Sequence, residues 1–224
     1  MTLEREIFAR EVDARLTMSE QLIMLAAAPA LERLLQRMDR LVAAGDPISD
    51  SDLEALTAEL NDTLSRTIGE QLAAQQGAMA ALAARWAPTQ RTSPHGAAYW
   101  LERASIDGHT LAAYFRRRSP SLFMGALMDQ LRKGIEAGWT RHRASTAAAA
   151  QRLVATVAET AVWSGSGIQM AAAWNVSEFI FYTRLDEKVC KICGPKHGTR
   201  YSGASNGPPA HPRCRCVGLP AVRA

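Results

Sequence analysis

Every cysteine of this chain lies between residues 190 and 216, as Cys190-x-x-Cys193 and then, after a Gly/Pro-rich stretch, His211-x-x-Cys214-x-Cys216. Four thiols and an imidazole in two short clusters match the spacing of a tetrahedral zinc site, in which paired soft donors converge on one ion. Two disulfides would also use four cysteines. The N-terminus Met-Thr-Leu-Glu-Arg-Glu-Ile-Phe carries charges where a secretion signal needs an apolar run, so the expected compartment keeps thiols reduced. A thiol cluster without metal and a C-x-x-C redox pair are the other readings, and the latter calls for a βαβ setting that the helical pattern upstream does not supply.

Five donors compete for four positions. If Cys214-Arg215-Cys216 is extended, alternation puts both sulfurs on one face and Arg215 on the other. His211 precedes Pro212, which holds it extended and could aim its ring at the same ion. A site of Cys190, Cys193, Cys214 and Cys216 and a site of three cysteines with His211 both stay open. Four or five nearby donors favour a closed, structural site over a catalytic one, which keeps an open position.

The rest of the chain reads as helix. Aromatic content is 6% and alanine is abundant, which favours packed helices. Leu3, Ile7, Val12 and Leu16 begin an apolar stripe, and Pro29 is expected to interrupt it. Leu31, Leu34, Leu35, Met38, Leu41 and Val42 form a second stripe that ends at Gly45-Asp46-Pro47. Ser51-Asp-Leu-Glu54 reads as a capping box opening a helix through Leu53, Leu56, Leu60, Leu64, Ile68 and Leu72 toward Trp86. The segment from Ala87-Pro88 to Pro94-His95-Gly96 reads as a linker. Shorter helices are expected at 99–103, 111–117 and 121–143, and an Ala-rich one from Ser145 to Trp163, broken by Ser164-Gly-Ser-Gly167. Phe179 to Thr183 is the convincing strand, with Tyr201 in a second one after a turn at Gly198. The predicted fold is mainly α: a multi-helix N-terminal and central region with a small C-terminal α+β module stapled by zinc. Its divisions are a helical region over 1–88, a basic helical region over 89–173 and the Cys/His module over 174–224.

The net charge of +4 conceals an asymmetry. Residues 1–115 hold 10 Lys/Arg against 16 Asp/Glu, whereas 116–152 hold 8 against 2, as do 184–224. A polyanion would meet the second half, at Arg116, Arg117 and Arg118, at Arg132 and Lys133, and at Arg141 and Arg143. Without interleaved aromatics, such contact would be to phosphates and indifferent to base sequence. The plain alternative is a solvated helix face. No apolar run approaches the length of a membrane span.

The words around the cysteines carry a resemblance. Tyr182, Thr183, Asp186, Val189, Cys190, Cys193 and Gly198, followed by the ending His211-Pro-Arg-Cys214-Arg-Cys216, resemble the Mu F-like minor head proteins of tailed bacteriophages. Glu159 falls near the place where that family often shows Arg-Thr-Glu, although Val157 and Ala158 stand in place of the Arg and Thr. The resemblance covers about residues 150–220. It implies a minor head protein that acts in head morphogenesis without being an enzyme, found in the virion and, during assembly, in the host cytoplasm. The implied partners are the portal protein, other head components and packaged DNA, with self-association as a further expectation and no membrane. The leucine stripes at 31–42 and 53–72 would be the association surfaces if they are exposed. The competing classes are a nuclease using the basic half and a zinc-stabilised nucleic-acid-binding module.

Overall fold

A computed structural model describes residues 3–45, 47–86, 105–106, 109–110, 119–174, 178–183, 189–202, 210 and 214–221. Among them are four α-helices: α1 (Leu3–Ala44), α2 (Asp50–Trp86), α3 (Ser119–Glu136) and α4 (Trp139–Trp174). The strands are β1 (Ser105–Ile106), β2 (His109–Thr110), β3 (Glu178–Tyr182), β4 (Arg200–Ser202) and β5 (Val217–Pro220). The architecture is mainly α with a small C-terminal α+β module, as the sequence pattern predicts.

Helical periodicity explains the bundle. Val12, Leu16, Ile23, Leu34 and Met38 of α1 meet Leu53, Leu60, Leu64 and Ile68 of α2 in one core, joined by Phe123, Leu127 and Leu131 of α3 and Ala150, Val154, Ala158 and Val162 of α4. Each recurs every three or four residues, so one face of each helix faces the others. The leucine stripes at 31–42 and 53–72, association surfaces only if exposed, are therefore largely the interior of the bundle itself. Burying them supplies roughly 1.5–3 kcal/mol per large side chain, which is what lets such long helices persist.

Four local expectations are corrected. Pro29 does not interrupt α1, which runs through it. The proline lies on the exposed side, while Ala27, Ala30 and Leu31 beside it are buried, and their packing offsets the ~3 kcal/mol that an interior proline costs. The capping box of α2 is not Ser51 with Glu54 but Ser49 with Asp52. The Asp52 N–H donates to Ser49 Oγ at 3.2 Å, and the Ser49 N–H donates to Asp52 Oδ2 at 2.8 Å. The helix expected over 121–143 instead ends at Glu136. Gly138, at φ 95°, takes a left-handed turn open to glycine, and α4 starts at the next residue. Finally, the backbone of α4 stays helical through Ser164-Gly-Ser-Gly167 to Trp174. A glycine costs a helix only about 1 kcal/mol against alanine, and the alanines on both sides propagate it.

The expected linker at 87–96 and the short helices at 99–103 and 111–117 lie outside the described residues. Near them, β1 and β2 pair antiparallel, Ser105 with Thr110 and Ile106 with His109. Asp107-Gly108 between them is the turn chemistry that could have revealed this hairpin.

The strand expected at 179–183 is β3, and Tyr201 lies in β4. β3 is the middle of a three-stranded antiparallel sheet in the order β4-β3-β5. Phe179 pairs with Tyr201 on one side and Pro220 on the other, and Tyr182 pairs with Val217. Alternation gives the sheet two different faces. Ile180, Val217 and Leu219 join the helical core, where β5 packs on α4, whereas Phe181 points the other way into a second cluster with Cys193, Cys214 and Cys216. The sheet thus lies between the bundle and the cysteines.

Candidate metal centre

Two short segments carry the thiols to the far face of the sheet. The first is a tight turn, in which the N–H groups of Cys193 and Gly194 both donate to Cys190 O, at 3.2 and 3.0 Å. The Cys193 N–H also reaches Cys190 Sγ at 3.3 Å, so the turn aims the first sulfur back toward the second. A single 3₁₀ turn, Gly194–Lys196, follows. The chain then rejoins the sheet, where Gly198 N–H donates to Phe181 O and Phe181 N–H donates to Thr199 O, both at 2.8 Å. The second segment is Cys214-Arg215-Cys216, which leads directly into β5.

Further contacts brace these segments. Thr183 is fully buried at the end of β3, and its N–H donates to His197 Nδ1 at 3.2 Å with its hydroxyl 3.0 Å from the same nitrogen. Tyr201 stacks on Phe179 at 5.6 Å and meets Phe181 edge-on at 6.3 Å, roofing the sheet beside the sulfurs. A Cβ at Gly218 would overlap the Tyr201 hydroxyl, so a side chain at this β5 position would have to displace the Tyr201 ring.

The outcome is a buried triangle of sulfurs. The Sγ atoms of Cys193, Cys214 and Cys216 all lie within 4.8 Å of one another, and Cys193 Sγ is 3.7 Å from Cys214 Sγ. Four thiolates placed tetrahedrally about 2.3 Å from zinc would be about 3.8 Å apart, which matches that edge, whereas a disulfide brings sulfurs to about 2.05 Å. All four cysteines are free thiols. The disulfide reading is therefore not the one this structure adopts.

Electrostatics explain why such a triangle suits a cation. Burial pushes the Cys193 thiol up to about 12, aided by its hydrogen bond with Cys190. The Cys216 thiol donates to Cys214, which holds Cys214 down at about 5 against its burial and raises Cys216 itself. Sulfurs packed together resist ionising at the same time, because a second negative charge would be repelled by the first in a buried site. A divalent cation removes that repulsion and lets all of them ionise.

Cys193, Cys214 and Cys216 can therefore hold a metal ion, with the half-buried Cys190 beside them as a fourth donor. His211, the fifth sequence candidate, and Asp186 of the motif lie outside the described residues.

The predicted basic cluster divides. Arg132 of α3 bonds Asp50 of α2 at 2.8 Å and Asp129 at 2.9 Å. Arg143 of α4 bonds both oxygens of Asp39 of α1 through Nε at 2.9 Å, and Trp139 Nε1 donates to the same carboxylate at 2.8 Å. Part of the basic half thus neutralises the acidic half within the bundle. Lys133 and Arg141 are exposed, on either side of the Gly138 turn. Arg116, Arg117 and Arg118 lie outside the described residues.

One pair escaped sequence reasoning. Arg215, between two metal-site cysteines, points to α4 and meets Glu159, with Nε 3.6 Å from Oε1. The signal was present, since an acid amid Val154, Val157, Ala158, Ala161 and Val162 on one helix needs a buried partner. Compared with protein-family models, curated proteins and solved structures, the chain matches none.

Proposed function

We propose that this chain is a minor head protein of a tailed phage, with a structural zinc ion closing its C-terminal module. The observation that carries the metal part is the 3.7 Å edge within a buried set of three thiols whose sulfurs lie within 4.8 Å of one another. Soft sulfur donors in a tetrahedral arrangement select zinc among common divalent ions. With Cys190 or His211 as a fourth donor beside the three sulfurs, no position is left for a substrate, and the ion fastens the module rather than performing chemistry. The head-protein part is supported by the wording of the motif around those thiols, above all the ending His211-Pro-Arg-Cys214-Arg-Cys216.

On this reading the bundle is the framework and its outer surface meets the partners. Among the described residues, the large apolar side chains exposed on α1 are Ile7, Met18, Leu22 and Leu25, and large apolar groups gathered in water mark contact surfaces. They replace the interior leucine stripes as the surface for portal or head components. Non-specific contact with packaged DNA would fall to Lys133, Arg141 and the cluster Arg116 to Arg118, since Arg132 and Arg143 are engaged with carboxylates. No helix among the described residues is long and apolar enough to cross a membrane.

The test joins both parts. Purified protein should carry about one zinc per chain, recover portal protein in a pull-down, and bind DNA with an affinity that falls steeply with salt. Replacing Lys133 and Arg141 together with Gln should flatten that slope by up to about two units, at roughly 0.9 per phosphate contact. Metal-dependent cleavage of DNA, with no portal recovered, would replace this reading by a nuclease.

A further inference from the structure

The Glu159–Arg215 pair is unlike the other ion pairs among the described residues. Arg132–Asp50, Arg143–Asp39 and Arg200–Glu178 leave every side chain at least 36% exposed, whereas Arg215 and Glu159 are only 15% and 9% exposed. An exposed pair contributes little and tolerates loss of its geometry. A buried pair is different, because each charge has given up its water and depends on the other staying in place.

The cysteine site helps to hold Arg215 in place. Cys214 to Cys216 precede the ladder of β5, which begins at Val217, so sheet pairing does not fix them. Their anchors are the two sulfurs, turned inward on one side of the segment while Arg215 is turned outward to α4. Hydrogen bonds from neighbouring thiols and from the Ala210 and Cys216 N–H groups reach the Cys214 sulfur, whereas two metal–sulfur bonds flanking Arg215 would fix its backbone more firmly at both neighbours.

We infer that Glu159 and Arg215 couple metal occupancy of the cysteine site to the docking of the C-terminal module on α4. With the ion bound, Arg215 is delivered to Glu159 and the module seats on the bundle. With the ion lost, the segment loosens, the buried contact between Arg215 and Glu159 weakens, and the seated arrangement becomes less favourable. Linkage makes the coupling reciprocal: a change at Glu159, which is no ligand, must alter the affinity for the metal by the factor with which the metal alters the pairing. The inference rests on the metal reading of the site and is independent of the phage assignment.

Zinc affinity of the full chain, measured by competition with a chromophoric chelator, tests it. Glu159→Gln and Arg215→Gln should each weaken zinc binding on the order of tenfold, within the 10–100-fold range for groups supporting a ligand shell. The double variant should lose no more than either single one, because the second change removes a partner already lost. The cobalt(II) spectrum of each variant should keep the intensity of a tetrahedral thiolate site, showing that the ligands themselves are intact. Neutralising the exposed pair of the same module, with Glu178→Gln and Arg200→Gln, should leave the affinity unchanged. If Glu159→Gln does not fold, Glu159→Asp and Arg215→Lys shorten or reshape the pair with charges kept, and each should still weaken zinc. Native affinity in these variants, losses that multiply in the double variant, or an equal loss from the exposed pair would overturn the coupling. Native protein that takes up no zinc would instead overturn the metal reading beneath it.

Discussion

The bundle and the C-terminal module differ in what fills their interiors. In the bundle, long helices share a continuous core of leucines, isoleucines, valines and alanines, with exposed ion pairs such as Arg33–Glu59 outside it. In the module, strands of five, three and four residues enclose one phenylalanine and three cysteines. An apolar core of the first kind supports itself through the area it buries. A core of the second kind buries less apolar surface against the entropy of ordering its loops, and a cross-link such as the proposed zinc would offset that difference. The two regions should therefore fail under different insults.

Removing the cross-link is the sharpest way to test that contrast. Structural zinc contributes on the order of 10 kcal/mol to the folding of small metal-dependent modules. Cys214→Ser, or chelation of the native protein, should abolish metal binding and the amide-exchange protection of 178–221. Helices α1 and α2 should retain theirs. The sign with pH follows from the chemistry, since thiolates bind the ion and thiols do not, so acidification should release the metal and reproduce the same local loss. Protection lost equally from both regions would show that they are one cooperative unit.

The converse insult is a cavity in the bundle. Leu60 is fully buried between the long helices, and Leu60→Ala should cost about 2–5 kcal/mol through lost transfer energy and an unfilled hole. Thermal unfolding of the helices should shift down while zinc stoichiometry below the transition stays as in the native chain. A variant that folds but loses its metal would mean that the module depends on the bundle beyond the Glu159–Arg215 contact.

The same contrast governs what could be read from the sequence. The apolar stripes of α1 and α2, the strand at β3 and the spacing of the cysteines were legible, because each is a repeat or motif within a short window. What misled were breakers and caps, whose strength depends on their surroundings. Pro29 is overruled by the burial of Ala27, Ala30 and Leu31, and the glycines at 165 and 167 by alanines on either side. Gly138 ends a helix that periodicity alone would continue, since a positive φ leaves no trace in apolar spacing. At the site, the alternation of Cys214, Arg215 and Cys216 was predictable, but the partner of Arg215 was not, since Glu159 lies far away in the chain. The acidic and basic halves likewise read as an external field, whereas the fold spends part of it internally, at Arg132–Asp50 and Arg143–Asp39.

The smallest expected effect lies at the start of α2, far from the cysteines, and it sharpens the contrast because it should touch the bundle alone. Ser49 and Asp52 cap the helix reciprocally, and the hydrogen bonds from the Ser49 hydroxyl and N–H hold the Asp52 carboxyl below its usual 3.8. A carboxylate with a depressed pKa stabilises the fold above its ordinary value, and that contribution fades as pH falls through the depressed one. Ser49→Ala should therefore cost about 0.5–2 kcal/mol at neutral pH, the range for losing an N-cap. The penalty should shrink once the pH drops below 3.8, where Asp52 in the unfolded chain already holds its proton. Denaturant titrations of both proteins at neutral and acid pH read the difference directly. A penalty that stays constant across that range would assign the cap to the Ser49 hydroxyl alone, accepting from the Asp52 N–H, and remove the carboxylate from it.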